Sequence, residues 1–361
     1  MVIQSLKLKD FRNYGLLDLE FDPLTNIFYG DNAQGKTNIL EALYLGGTTR
    51  SHRGTKDKDI IMFDNDESHV EMNVSRGGTK YCIDIHLKKN EPKGAAVNKI
   101  PIHKASELFK IVNFVFFSPE DLNIIKNSPA ERRKFIDTEL CQLDSVYLHD
   151  LIDYNHIIVQ RNKLLKELVF RPELLSTLDI WDEQLIQYGN KIINRRNIFI
   201  QNLSEILYNI HKNLTGGKEQ LEVLYEPSVL EGNFNAELAR TRERDRKVCT
   251  TSVGPHRDDL AFLSNGIDLR TFGSQGQQRT AALSLKLAEI ELIRSLVHDT
   301  PVLLLDDVLS ELDQNRQEYL LNSIHDIQTM ITCTGLDEFV NHRFHVNRIF
   351  KVAGGTVVKE N

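Results

Sequence analysis

At 361 residues, 41% of them hydrophobic, the chain can bury a full core in one large or two medium domains. It contains no run of eighteen apolar residues, and its opening stretch alternates charged and apolar positions; this excludes a membrane-spanning helix, predicts no secretory leader, and gives the cytoplasm, without a membrane partner, as the expected location. A net charge of −7 excludes a bulk field that draws in nucleic acid, so any DNA contact requires a local basic patch.

In chain order, Ile3, Leu6 and Leu8, then Leu17, Leu19 and Phe21, alternate as a hairpin would, with turn residues at Arg12 to Gly15. The short apolar run Ile27 to Tyr29 predicts a strand, and Thr37 to Leu45 has helical spacing, giving strand, loop, helix. Residues 69–87 and 97–117 read as further strands, the second ending in the apolar run Ile111 to Phe117. From Asp121 to Leu214 helical signals dominate. Leu178, Leu185, Ile192, Phe199 and Ile206 recur every seven residues, beside Ile186, Ile193, Ile200 and Leu207, which predicts a long helix packed on a partner. That partner is Val146 to Leu168, with the chain broken near Pro172, so a short antiparallel helical hairpin is expected.

A strand at Leu221 to Tyr225, a charged helix at Asn235 to Lys247 and a hairpin turning at Ser264 to Gly266 follow. Gly276 to Val297 predicts a helix, and Pro301 to Asp306 a buried strand of parallel-sheet type. A helix at Gln314 to Ile327, a strand at Thr329 to Cys333 and small terminal strands complete the chain. The expected organisation is an α/β domain made of 1–118 and 250–361, with a helical domain, 119–249, inserted into it. Cys82, Cys141, Cys249 and Cys333 are far apart and lack metal-ligand spacing, which predicts reduced, buried thiols.

Three segments carry chemistry. Gly30-Asp31-Asn32-Ala33-Gln34-Gly35-Lys36-Thr37 matches G-x-x-x-x-G-K-[ST] between a strand and a helix. Its backbone N–H groups and the helix N-terminus suit a polyphosphate; Lys36 reaches the β- and γ-phosphates, and the Thr37 hydroxyl ligates Mg²⁺. The strand Val302 to Asp306 ends in Asp306-Asp307, at the edge where open α/β sheets collect ligands. Asp306 is assigned to holding the magnesium through water and Asp307 to orienting the attacking water. Roughly thirty residues earlier, Gly273-Ser274-Gln275-Gly276-Gln277-Gln278-Arg279 opens a helix with a serine cap, which makes a second anion site.

These segments, with Phe11-Arg12-Asn13-Tyr14 and Leu305 to Asp313, resemble an SMC-type ABC ATPase head: an α/β, ABC-type P-loop ATPase head with an inserted helical domain. Ser51-His52-Arg53, Phe117 to Leu122, Ser252 to Leu260 and the paired aspartates resemble the RecF family in particular, and the hairpin is too short for an SMC coiled coil. The resemblance implies a DNA-gap repair mediator that binds ATP and Mg²⁺. It would dimerise on DNA with ATP, work with RecR and sometimes RecO to load RecA, and hydrolyse ATP slowly. It also implies that Ser274, Gly276 and Gln277 serve the nucleotide of a second subunit.

Two departures from ABC enzymes in general stand out. Ser118 to Asp121 replaces a glutamine, and Thr332-Cys333-Thr334 replaces a switch histidine, so fast hydrolysis is not implied. Candidate DNA contacts are Arg50, Arg53 and Lys56 with Lys58, then Arg132 to Lys134, Arg195-Arg196, and the basic residues from Arg240 to Lys247; the last three groups also read as solvated helix faces. An SMC-like chromosome-organising ATPase, an ABC transporter subunit and a P-loop kinase remain open alternatives.

Overall fold

Alternation at the N-terminus produces β1 (Val2–Phe11) and β2 (Tyr14–Glu20), paired antiparallel with Leu6 opposite Leu19 and Leu8 opposite Leu17. Then come β3 (Thr25–Tyr29), α1 (Lys36–Thr48), β4 (Glu67–Arg76), β5 (Thr79–Lys88), β6 (Gly94–Val97), β7 (Ile100–Pro101), α2 (Ser106–Phe109) and β8 (Phe114–Phe117). The expectation of strand throughout 97–117 fails in the middle: Lys104 to Glu107 lacks the β-branched and aromatic residues that favour a pleated surface, and α2 forms there.

The next elements are α3 (Leu122–Lys126), α4 (Pro129–Leu143), α5 (Ser145–Glu167), α6 (Thr177–Leu214), β9 (Leu221–Glu226), α7 (Phe234–Val248), β10 (Asp259–Ser264), β11 (Ile267–Asp268), α8 (Leu269–Phe272) and α9 (Gln275–Val297). The chain ends with β12 (Val302–Asp306), α10 (Gln314–Ser323), β13 (Thr329–Cys333), β14 (Arg348–Ala353) and β15 (Thr356–Glu360). Helix α10 stops short of Ile327 because Ile324 and Ile327 are buried in the turn leading to β13, an apolar spacing that imitates a helix.

This computed structural model describes residues 1–336 and 345–360. Contacts group the chain into Met1–Asp121 with Glu289–Asn361, and Leu122–Ala288. The second group ends at Ala288 rather than 249 because β10 pairs in register with β9, Phe262 opposite Val223.

Among the described residues the first unit holds two six-stranded sheets. One, in the order β2-β1-β4-β5-β6-β7, turns Leu6, Leu8, Val70, Met72, Ile83 and Ile85 inward, as a period of two dictates. The other runs β15-β14-β3-β13-β12-β8; β14, β3, β13, β12 and β8 are parallel, so the phosphate-loop strand β3 and the acidic strand β12 both flank β13. β12 and β13 are buried along their whole length, the pattern of a parallel strand covered on both faces.

In the second unit α5 and α6 form the expected hairpin. Asp144 caps α5 by accepting from the N–H groups of Val146 (2.8 Å) and Tyr147 (3.1 Å), and a 3₁₀ turn at Pro172–Ser176 separates the helices. Leu164, Leu165, Leu168 and Leu178 close the tip. A straight helix drifts about 20° per heptad against a strict seven-residue repeat. Burial on α6 accordingly passes from Leu178, Leu185 and Ile192 to Ile193, Ile200, Leu203 and Leu207, leaving Ile206 only half-buried. None of the four cysteines is in a disulfide, but only Cys333 is buried; Cys82, Cys141 and Cys249 are half-buried, a correction to the expectation of four buried thiols.

Candidate nucleotide site

The phosphate loop leaves the sheet at Gly30, whose N–H donates to Cys333 O (3.3 Å) at the end of β13. Two glycines are required by geometry. Gly30 has φ +151° and a Cβ there would lie 2.3 Å from Val352 O; Gly35 has φ +113° and its Cβ would lie 2.5 Å from Asn13 Nδ2. Asp31, Asn32 and Ala33 are exposed at the crest, with Ala33 in the left-handed region at φ 65°. Lys36 is buried, and its Nζ donates to Gly30 O (2.7 Å) and Asp31 O (3.0 Å), so the ammonium is held by the loop it serves.

One residue on, the Thr37 hydroxyl donates to Asp306 Oδ1 at 2.8 Å, which brings together the end of β12 and the start of α1. Thr332 on β13, in register with Asp306, donates to the same oxygen at 2.8 Å and accepts the Asp307 N–H at 2.9 Å. Thr332 thus ties both aspartates, a role that its residue type gave no sign of in sequence. Burial pushes the Asp306 carboxyl above its ordinary value, the two hydroxyls oppose this, and neighbouring Asp307 adds to it. Asp307 is half-buried with φ 51°, a left-handed backbone that aspartate tolerates better than most residues.

The pair Thr37 and Asp306 fits a magnesium ion. Both are hard oxygen donors, and their 2.8 Å separation is close to the roughly 3 Å between adjacent ligands of an octahedron with bonds of about 2.1 Å.

Ser274 and Gln277 form a reciprocal cap on α9. The Ser274 hydroxyl accepts the Gln277 N–H (3.2 Å), and Gln277 Oε1 accepts the Ser274 N–H (3.0 Å). Ser274 and Gly276 are exposed, while Gln277 also donates to Glu219 (3.2 Å).

Glu41, on α1 beyond the phosphate loop, was not anticipated. It is fully buried and receives Arg12 Nε (2.9 Å) and NH2 (2.8 Å), with Ser51 and Thr55 also donating to it. Burial alone would raise this carboxyl; Arg12, Ser51 and Arg53 outweigh it and hold it below the ordinary value. Its sequence signals were the Phe11 to Tyr14 turn, which supplies Arg12, and Ser51-His52-Arg53, which supplies Ser51 and Arg53. Arg50, Arg53 and Lys56 are exposed, and Arg53 NH1 stands 4.0 Å from Glu41.

Several other basic candidates pair with carboxylates, and two of them, Arg132 and Arg196, are buried rather than on solvated helix faces. Arg132 is buried against Asp259, Arg195 pairs with Asp144 and Asp150, Arg196 is buried against Asp137 and Asp258, and Arg242 pairs with Asp179. Arg240 and Arg246 bridge to Glu237 and Glu243 on their own helix.

Comparison with known proteins places this site in a family. The model for the RecF/RecN/SMC N-terminal domain matches residues 2–357. The DNA replication and repair protein RecF of Agathobacter rectalis is 60% identical over 357 residues, covering 99% of each chain. That of Lachnospira eligens is 59% identical over 363 residues, covering 100% of both. Among solved structures, a recombination mediator protein RecF with ATP, from the RecFOR pathway, superposes with a TM-score of 0.93 at 36% identity, covering 100% of this chain and 98% of that one. An Smc head domain from Pyrococcus furiosus shares the fold alone, with a TM-score of 0.58 at 17% identity over 100% of this chain and 96% of its own. Among the described residues no helix is long and apolar enough to cross a membrane. The fold is that of an ABC-type ATPase head, and the chain belongs to the RecF family of DNA replication and repair proteins.

Proposed function

We propose that this protein is an ATP-switched recombination mediator of DNA-gap repair, carrying its nucleotide on Gly30 to Thr37. The observation that carries the reading is the convergence of Lys36, Thr37 and Asp306: an ammonium held across a glycine loop, beside two oxygens spaced for one magnesium ion. When bound, ATP with Mg²⁺ supplies a triphosphate whose terminal bond is activated by charge neutralisation. The loop amides hold the phosphates, Lys36 balances their charge, Thr37 and Asp306 hold the metal, and Asp307 orients water. Asp307 is a shorter base than the usual glutamate and its backbone is fixed by Thr332, which favours slow turnover suited to a switch.

Ser274, Gly276 and Gln277 are assigned to the nucleotide of a second copy, since their helix N-terminus is exposed, capped and rich in N–H donors. Arg50 and Lys56 are assigned to DNA phosphates, without base reading. Arg53, 4.0 Å from Glu41, is assigned to DNA with them. RecR and RecO as partners are supported by the RecFOR pathway named for the solved relative, and the loading of RecA is carried by the family resemblance alone. The transporter, kinase and chromosome-organising readings gain no support from the full-length RecF relatives.

Fluorescence anisotropy of a gapped duplex, with and without ATP and Mg²⁺ at two salt concentrations, tests the whole. The expected result is ATP-strengthened, salt-sensitive binding. Lys36→Arg should weaken ATP-driven dimerisation and turnover, because a planar fork does not replace the ammonium in a tight nest; wild-type behaviour would remove the assignment. Ser274→Arg should leave monomer ATP binding intact and block the dimer, and a variant monomer unable to bind ATP would show that the site is not shared.

A further inference from the structure

The strands β14 and β15 form one edge of the sheet beside β3, and their turn, Gly354-Gly355, reaches the phosphate loop. Gly354 N–H donates to Gln34 Oε1 at 2.6 Å, and Gly355 N–H to Gln34 O at 3.4 Å. Asn13, in the turn between β1 and β2, donates its Nδ2 to the same Gln34 carbonyl at 3.0 Å, while its own Oδ1 accepts Asn38 Nδ2 at 2.8 Å. Three donors from two segments, more than three hundred residues apart in sequence, therefore hold Gln34: two, from Asn13 and Gly355, on its peptide carbonyl and one, from Gly354, on its side chain.

That peptide joins Gln34 to Gly35. In a trans peptide the C=O and the following N–H point in opposite directions. Drawing the Gln34 carbonyl toward Asn13 and Gly355 turns the Gly35 N–H away from them. The next peptide is fixed likewise: Tyr14 OH donates to Gly35 O at 3.1 Å, and burial keeps this phenol protonated well beyond its ordinary range, so it stays a donor. These two N–H groups, of Gly35 and Lys36, are the ones a phosphate loop offers to the β-phosphate.

We propose that the Gly354-Gly355 turn, together with Asn13, is a positioning element of the nucleotide site: it sets the Gln34–Gly35 peptide so that the loop is aimed at the β-phosphate of a bound nucleoside di- or triphosphate. The turn tolerates no side chain at its second position. Gly355 has φ +75°, and a Cβ there would lie 2.4 Å from Asn13 O. The far end of the hairpin is tied to the same strand that delivers the loop, through Tyr29 OH donating to Glu360 at 2.7 Å. The C-terminal hairpin is thereby part of the phosphate site although it carries no phosphate ligand.

The inference rests on the nucleotide reading, and its test separates the two. Affinities of full-length wild type, Asn13→Ala, Gly355→Ala and Lys36→Ala for fluorescent ATP and ADP are measured by titration, with thermal melting as a check on folding and ³¹P NMR of bound ADP as a local readout. Asn13→Ala removes one donor without adding bulk and is informative even if Gly355→Ala folds poorly. Both variants are expected to lose about tenfold in affinity, equally for ATP and ADP because the β-phosphate is common to both, and to move the bound β-phosphate resonance. Wild-type affinity and resonance in a folded Asn13→Ala, with binding abolished in Lys36→Ala, would overturn this inference and leave the nucleotide reading standing. Failure of the wild type to bind either nucleotide would overturn both.

Discussion

The two units bury polar groups in opposite ways. In the ATPase unit the site is made mostly of backbone amides and carbonyls at a sheet end, trimmed by the hydroxyls of Thr37 and Thr332. In the helical unit whole guanidinium groups are sunk: Arg132, Arg161 and Arg196 are among the largest fully buried side chains. Arg161 on α5 reaches Asp182 on α6 (2.6 Å), Asp245 on α7 (2.8 Å) and Thr251 (2.9 Å). Arg196 on α6 reaches Asp137 on α4 (2.7 Å), Asp258 (2.9 Å) and Pro255 O (2.7 Å). The apolar seam of α5 and α6 joins two helices but is indifferent to small rotations, whereas a guanidinium fork accepts only one arrangement of its partners. Burying such groups carries a large desolvation penalty, so these joints act on geometry more than on net stability. In the ATPase unit mobility at the loop is limited by neighbours; in the helical unit orientation is set by charge.

The sharpest way to break this contrast is to remove one carboxylate. Asp245→Ala leaves Arg161 buried beside a lost partner and should destabilise by about 3–5 kcal/mol in denaturant melts of the full chain; a loss below about 1 kcal/mol would mean the joint is weakly coupled.

A second effect comes from acid. His256 is pushed down to about 4, chiefly by burial, and its ring is held between Tyr154 OH (2.8 Å) and Thr251 O (3.1 Å). The unfolded chain takes up this proton near 6.5 and the folded one only near 4, so unfolding binds a proton in between and stability falls as pH drops from about 6.5 to about 4. The difference should reach on the order of 3 kcal/mol relative to His256→Gln, measured as the gap between their melting curves against pH; a gap that stays constant would refute it. The smallest expected effect tests the exposed end of α9: Ser274→Ala removes the cap and should cost about 1 kcal/mol, visible as a modest fall in melting temperature.

What the sequence made legible was local. The first hairpin, the phosphate loop and the α6 seam each declare themselves within a few residues, because period, turn chemistry and glycine placement are short-range properties. Asp306 was legible for the same reason: an apolar strand with a carboxylate at its end. What stayed hidden depends on partners distant in sequence. Arg132 finds Asp259, Arg161 finds Asp245, and Gln34 finds Gly354, and nothing near any of them announces the partner. Runs such as Arg132-Arg133-Lys134 and Arg195-Arg196 therefore looked like patches for DNA when part of each belongs to the interior. The pairing of β9 with β10, which joins residues on both sides of position 249, is likewise invisible until the register is seen.

The buried joints also have a chemical asymmetry. A guanidinium keeps its proton at any pH a protein survives, and burial holds the phenols of Tyr147, Tyr154 and Tyr225 protonated far into the alkaline range. Alkali thus finds almost nothing in these joints to titrate. Acid finds His256, and the proton it adds creates a positive charge beside Arg257 and Arg133, which already oppose it. Of the shifted groups in these joints, it is the imidazole and not the phenols that meets its proton change within the ordinary pH range.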